Sequence, residues 1–239
     1  MTRPIPNKSK FFLVISIIGL LAVLTGFSTT FIFPLSNGTF KAPVMVYVHG
    51  AFAFSWVCLF LIQSLLIQQH NVKLHRKLGN IGLFIAIGVT LTLIPVGLYQ
   101  VEKELQLGLG QTAISSIVGT LTSGIIFISL VVAAILKRKE PATHKRLMLL
   151  ATILLLWPAW FRFRHFFPTV PNPEIWFAIV LADSLIVISI IWDKITFGKF
   201  NNTLLLVGSF IILEHTMEAY MYDNSVWRVM ANAVYRILT

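Results

Sequence analysis

Apolar stretches of membrane-spanning length recur seven times along these 239 residues, at 11–33, 43–67, 80–100, 111–136, 146–166, 175–193 and 203–221. A bilayer core takes about 20 apolar residues per helix. No backbone polar group can stay unpaired in lipid, and runs this long and continuously apolar meet that demand as helices rather than barrel strands. The pattern predicts an all-α membrane protein: one transmembrane domain over 1–239, built as a bundle of seven transmembrane helices. Pro158 predicts a kink near one end of the fifth span and Pro95 another in the third. Ser115, Gly119 and Ser123, at four-residue spacing, predict a central, closely packed fourth helix. After Asp223 the pattern changes. Trp227, Met230, Val234 and Ile237 fall on one helical face, which predicts a C-terminal amphipathic helix lying on the membrane surface.

Composition sharpens this reading. Apolar residues make up 56% of the chain, charged residues 12%, and the mean hydropathy is +0.82. Soluble domains carry about 25% charged residues, so this chain lacks the charge to cover a water-facing surface. The net charge of +10 would suit a nucleic-acid binder if its Lys and Arg were gathered on one face. They are instead divided between alternate loops, which excludes nucleic acid as the expected partner and leaves the lipid bilayer. One side carries Arg3, Lys8, Lys10, Lys73, Arg76, Lys77, Lys137, Arg138, Lys139, Lys145, Arg146, Lys194 and Lys199. The other carries Lys41, Lys103, Arg162, Arg164, Arg228 and Arg236. The positive-inside bias then places the N-terminus in the cytoplasm and the C-terminus outside. The first run, Phe11 to Phe27, exceeds the length of a signal-peptide core and no small-residue cleavage site comes after it, so it is expected to stay as a helix. Cys58, the only cysteine, sits in the second span and suits a small apolar role.

Polar residues stand out against that background, because an ionisable group within the hydrocarbon is costly and marks a functional hypothesis. His49, Trp56, Phe60 and Gln63 share a stripe of the second span. Glu214, His215 and Glu218 share a face of the seventh, and Asp183 lies near the middle of the sixth, where Arg164, Gln63 or a protonated His would suit it as partner. His49 and His215 each lie about 9 Å inside the same end of the bundle at 1.5 Å per residue. His75 and His144 mark the opposite interface. Imidazole is a common ligand of haem iron and other metals. His49 with His215, and His75 with His144, are thus candidate haem b ligands, with Arg162 and Arg164 placed for propionates at the outer end. A haem between His49 and His215 would need a cleft walled by Trp56 and Phe60, because directly packed helices stand only ~8–10 Å apart. His49, His215 and Glu218 form the alternative, a non-haem metal set. Asp183 is the candidate proton-titrating group. Each has a plainer reading: interface anchors for His75, His144 and the aromatic-basic run 160–167, and cross-helix hydrogen bonding for His49 and His215.

The chain contains no HExxH, Cys-x-x-Cys, P-loop or G-x-S-x-G pattern, which lowers the standard enzyme classes. The stretches VHGAFAFSWVCLFLIQSLL, LHRKLGNIG, HKRLMLLAT and WDKITFGK resemble a family of small bacterial multispanning membrane proteins with no assigned activity. The resemblance covers about residues 43–200 and implies a bacterial inner membrane. More distantly, histidines at both ends of a helical bundle are similar to cytochrome b561-type haem proteins, although the fourth and sixth spans here carry none. Three functions stand as expectations: haem-dependent electron transfer with a quinol or other redox partner, a non-haem metal or lipid-modifying enzyme, and a proton-linked transporter, sensor or assembly factor.

Overall fold

The computed structural model describes residues 10–239; Arg3 and Lys8 of the charge pattern lie outside the described residues. The elements are α1 (Phe11–Gly26), α2 (Ser28–Ser36), α3 (Val44–Gln68), α4 (Val72–Gln106), α5 (Gln111–Leu136), α6 (Pro141–His165), α7 (Glu174–Phe197), α8 (Thr203–Met221) and α9 (Ser225–Leu238). No strand occurs among the described residues. Helices α3 to α8 are each long and apolar enough to cross a membrane, six in all, and α1 with α2 make a seventh if that bent pair is one span. The protein is a multi-pass helical membrane protein.

The α1–α2 pair departs from a straight rod. It bends by 46° between α1 and α2, where a π-helical stretch at Ser28–Ile32 is followed by Pro34; both features are known causes of sharp kinks. In α6 the α-helical part stops at Leu155, resumes at Trp157–Phe161 and tightens to 3₁₀ at Arg162–His165. That break lies just before Pro158, whose ring and missing N–H disturb the turn behind it. Pro95 has a milder effect, and α4 runs unbroken past it. At 1.5 Å per residue α4 is about 50 Å long, against a hydrocarbon core of about 30 Å. The charged residues at its two ends, Lys73 to Lys77 and Glu102 to Glu104, therefore reach beyond the apolar layer.

The centre of the bundle is α6. Of its most apolar window 61% is buried, against 39% for α5, which corrects the expectation that the fourth span is the central one. Leu149, Leu150, Ile153, Leu154 and Leu156 of α6 are nearly inaccessible and meet side chains of α3, α5, α7 and α8 in one core. Helix α5 is closely packed all the same. Its Gly124 faces Leu93 of α4, and its Gly119 leaves room for the carboxylate of Glu218. Around the outside, Leu91, Ile125 and Leu213 stand more than half exposed, as expected of a face turned to lipid.

Helix α9 is not simply laid on a surface. Trp227 and Ala231 are buried against Val101 of α4 and Ile117 and Val118 of α5. The apolar arc is wide enough to split, so Met230 and Ile237 point outward while Trp227 points in. The Trp227 indole donates to the Ser115 carbonyl at 2.9 Å. Asn224 caps the helix, accepting from the Trp227 amide. Beside it Asp223, in a left-handed conformation (φ 63°), accepts from Thr112 and Ser115 of α5 at 2.9 and 2.7 Å and from Nε and Nη2 of Arg228 at 2.9 and 2.6 Å.

Gly26 and Gly50 differ sharply in their room for a side chain. At Gly26 a Cβ would run into the backbone carbonyl of Ala159, which cannot swing aside, whereas at Gly50 it would meet nothing within 4 Å. Gly26→Ala is expected to lower stability in detergent by about 1–3 kcal/mol, while Gly50→Ala stays within about 1 kcal/mol of the parent. Equal melting shifts for the two would contradict the close approach of α1 to α6. A second outcome concerns Asp223, whose carboxyl is held well below the usual carboxylate range by the Arg228 guanidinium first, then by the Ser115 and Thr112 hydroxyls. Because the folded-state pKa is depressed, this stabilisation is complete above the unfolded value of about 3.9 and fades as pH falls below it. Trp227 fluorescence should report loosening of α9 in acid below about pH 4. Asp223→Asn, which keeps the left-handed backbone accessible, should remove that acid step and loosen the helix at neutral pH.

Candidate functional site: a buried acid–base cluster

The least expected polar grouping lies between α7 and α8. Asp183 and His215 are 4% and 5% exposed, and the His215 Nδ1 stands 2.8 Å from the Asp183 Oδ1. With Asp183 ionised, this contact selects the tautomer in which Nδ1–H donates and Nε2 is left as an acceptor. Nε2 has no hydrogen-bond partner, and neither do the Asp183 Oδ2 and the Glu214 Oε2. Glu214 Oε2 lies 3.9 Å from Nε2, beyond hydrogen-bond distance and within easy electrostatic reach. The Trp157 ring of α6 stands 6.4 Å from the imidazole. Glu218 comes one helical turn after His215, against Gly119 of α5, and continues the polar face toward the end of the bundle where α9 docks.

The local backbone is unusual on both helices. Residues Glu174–Leu181, ending two positions before Asp183, are π-helical, and so are Thr203–Val207 at the start of the helix bearing His215. The wider π turn shifts the angular phase of the residues beyond it, and such segments are frequent at functional sites. The meeting of Asp183 with His215 thus depends on more than a 3.6-residue period.

Asp183 takes a histidine as its partner, one of the three options its depth suggested. The other two are engaged elsewhere. Gln63 donates to the His75 carbonyl at 3.2 Å, and Arg164 donates to the Phe161 carbonyl and stacks on that ring at 3.8 Å. Arg162 similarly donates to the Pro158 carbonyl and lies over Phe27 at 4.1 Å. His49 turns to α4, with its Nδ1 2.9 Å from the Thr92 hydroxyl. The His215 ring is bound instead to Asp183 of α7, so the hydrogen bonds of the two imidazoles run to different helices. Trp56 does not wall a cleft: it donates to the Thr152 hydroxyl at 3.1 Å and packs edge-on against Phe127 in the core. Among the described residues no three His, Cys, Asp or Glu side chains are grouped so as to hold a metal ion, so the set His49, His215 and Glu218 finds no support.

At the opposite end His144 and His75 lie within electrostatic reach of each other. The His144 Nδ1 is 2.7 Å from the Ala134 carbonyl, while the His75 Nδ1 and Gln63 Oε1 are buried and unpartnered. Close by is a pair that sequence reasoning does not connect: Arg146 binds Asp193 through Nε and Nη2 at 3.1 and 2.6 Å, both side chains being buried. Arg146 also donates to the Ala142 carbonyl.

No family model, curated protein or solved structure matches this chain.

Gly119 provides a test of the cluster's geometry, because a Cβ there would overlap the Glu218 carboxylate. Gly119→Ala should cost about 1–3 kcal/mol as that side chain is displaced, and a Glu218→Ala background should relieve most of the loss. A thermal-melt double-mutant cycle reads the coupling; strictly additive losses would show that the two residues do not meet.

Proposed function

We propose that this chain is a proton-linked membrane protein in which the Asp183–His215 pair takes up and releases the proton. The observation that carries the reading is the open valence of that pair. It lies in the membrane-spanning part of the molecule with Nε2, Oδ2 and the neighbouring Glu214 Oε2 all unpartnered. A buried polar group without a partner calls for an explanation such as a catalytic role or a bound water. An ionisable group at this depth is a marker of proton relays in pumps and transporters.

The chemistry rests on the geometry. A proton arriving at Nε2 converts the neutral imidazole into a cation already bound to Asp183 at 2.8 Å and faced by Glu214 at 3.9 Å. The carboxylates thus stabilise the loaded state, and their own charge is offset at the same moment. Glu218 and Glu214, on one face of α8, form the approach from the end where α9 docks. Release leaves carboxylate charge less compensated in an apolar setting, which favours a change in packing or occupancy that rehydrates it. Coupling to a transported or sensed partner would act through that difference.

A second reading, haem-linked electron transfer, rests on the other end of the bundle. There His75 and His144 lie within mutual reach, and the Ala134 carbonyl orients the His144 ring as outer-shell acceptors orient ligating histidines. A haem held by these two would supply one-electron chemistry, with Arg76 and Lys145 beside it as cations for propionates. We further propose the bacterial inner membrane as the site of residence, with the N-terminus cytoplasmic and the C-terminus external.

The proton reading predicts a carboxyl or imidazole infrared band that changes with pH in reconstituted vesicles and is missing in Asp183→Asn and His215→Gln. A titration identical in parent and Asp183→Asn would sink it. A Soret band in freshly purified protein, abolished by His144→Ala and retained in His215→Gln, would favour the second reading instead. For orientation, alkaline phosphatase fused to the C-terminus should be active, and an inactive fusion that is fluorescent when green fluorescent protein replaces it would reverse the topology.

A further inference from the structure

A proton can reach the buried pair only through a group that touches both the surface and the imidazole. The His215 Nε2, the Asp183 Oδ2 and the Glu214 Oε2 are buried and unpartnered, so no water or ion rests against them in this packing. Asp183 and His215 are closed off throughout, whereas the Glu214 side chain is 17% exposed. The Glu214 carboxyl is therefore split. Its Oε2 faces inward, 3.9 Å from Nε2, while Oε1 has no hydrogen-bond partner among the described residues and is not closed off with it. The Glu218 carboxylate is turned to α5, against Gly119, and lies outside ion-pair distance of His215.

Charge points to the same residue. Asp183, Glu214 and Glu218 are three carboxyl groups, and among the described residues none of them pairs with a Lys or Arg. Arg162 and Arg164, at the same end of α6, are turned onto carbonyls of their own helix. Helix α6 presents Trp157 to the imidazole and α5 presents Gly119 to Glu218, neither of them charged. The imidazole is the one group of the cluster able to become positive. It does so by gaining a proton at Nε2, the atom that Glu214 faces.

We propose that Glu214 is the proton shuttle of the pair: its carboxyl takes a proton at the exposed oxygen, turns about its terminal bond and delivers it to the His215 Nε2. This assignment rests on the proton reading of Asp183 and His215. In the delivering step the Glu214 O–H bond breaks and an N–H bond forms at Nε2. Glu214 returns to carboxylate, and the new imidazolium stands between it and Asp183. Release runs through the same steps in reverse. A direct hydrogen bond needs a separation of about 2.7–3.2 Å, so a side-chain shift of about 1 Å closes the gap.

The test is the rate at which the pair changes protonation after a pH jump, followed by time-resolved infrared absorption of the full chain in vesicles. The equilibrium titration of the pair is read in the same samples. Glu214→Gln should leave that titration in place, with its midpoint displaced. It should slow the rate by about 10²-fold or more, the usual contribution of a positioned proton-transfer group. Glu214→Ala should be as slow, and formate, a small acid that fits the space left by the side chain, should restore most of the rate. Rescue is read within one preparation, so a loss of folded protein cannot imitate it. Glu102→Gln, which removes an exposed carboxylate from the same end of the bundle, should leave the rate unaltered. An unchanged rate in Glu214→Gln, equal slowing by Glu102→Gln or Glu218→Gln, or no response to formate would overturn the shuttle while leaving the titrating pair intact. A parent protein in which the pair does not titrate would overturn the proton reading and the shuttle with it.

Discussion

Helix α6 is the element on which the rest of the bundle depends, because nearly every neighbour is held to it by a polar bond or a close backbone approach. At its first turns Arg146 binds Asp193 of α7, and His144 meets the Ala134 carbonyl at the end of α5. Midway, Thr152 accepts the Trp56 indole of α3. Near its far end the Ala159 carbonyl lies against Gly26 of α1, and Trp157 stands beside His215 of α8. Lipid tails are as apolar as leucine, so burial alone does not tell one membrane helix where to sit against another. Directional contacts spaced along a single central helix supply that information.

Two of the carboxylates on α7 show how similar contacts serve different ends. Asp193 uses both oxygens on the Arg146 guanidinium in a bidentate, buried pair. Removing one member of such a pair strands a buried charge and typically costs about 3–5 kcal/mol, so it acts as a pin between α6 and α7. Asp183 uses one oxygen on His215 and leaves the other open, and the imidazole leaves its second nitrogen open as well. A closed pair with a permanently charged guanidinium has no vacant site at which to change protonation. An open pair built on imidazole has several. The difference in partner, arginine or histidine, thus separates a structural contact from one suited to chemistry.

Much of the fold is legible in the chain because the bilayer imposes length and apolarity on every span. The apolar run at 111–136 coincides with the helix Gln111–Leu136, and the break in α6 falls beside Pro158 as its chemistry requires. Helix α4 outruns its apolar stretch at both ends, since an apolar run ends where charge begins while a helix need not. The site is harder to read. Helical spacing and depth place a residue in a layer, which makes His49 and His215 look like a pair; they say nothing about which neighbour each faces. His49 faces Thr92. The better clue is connectivity. Asp183 and His215 lie on consecutive helices joined by a short loop, both about 20 Å from that loop at 1.5 Å per residue, and helices so joined are adjacent.

Connectivity still does not set the rotation of α7 and α8, and here the π-helical segments matter. A 3.6-residue wheel drawn through Glu174–Phe197 assigns Asp183 a direction as though all turns were equal. The eight π-helical residues at Glu174–Leu181 make the first part of α7 wider, and Thr203–Val207 does the same for α8. Such turns form longer-range backbone bonds than the α-helix and are rarely retained without a use. In this molecule they form the first turns of the two spans that contribute Asp183, Glu214, His215 and Glu218, and so set the direction in which those groups face. A local departure from regular helix geometry is therefore part of what assembles the cluster.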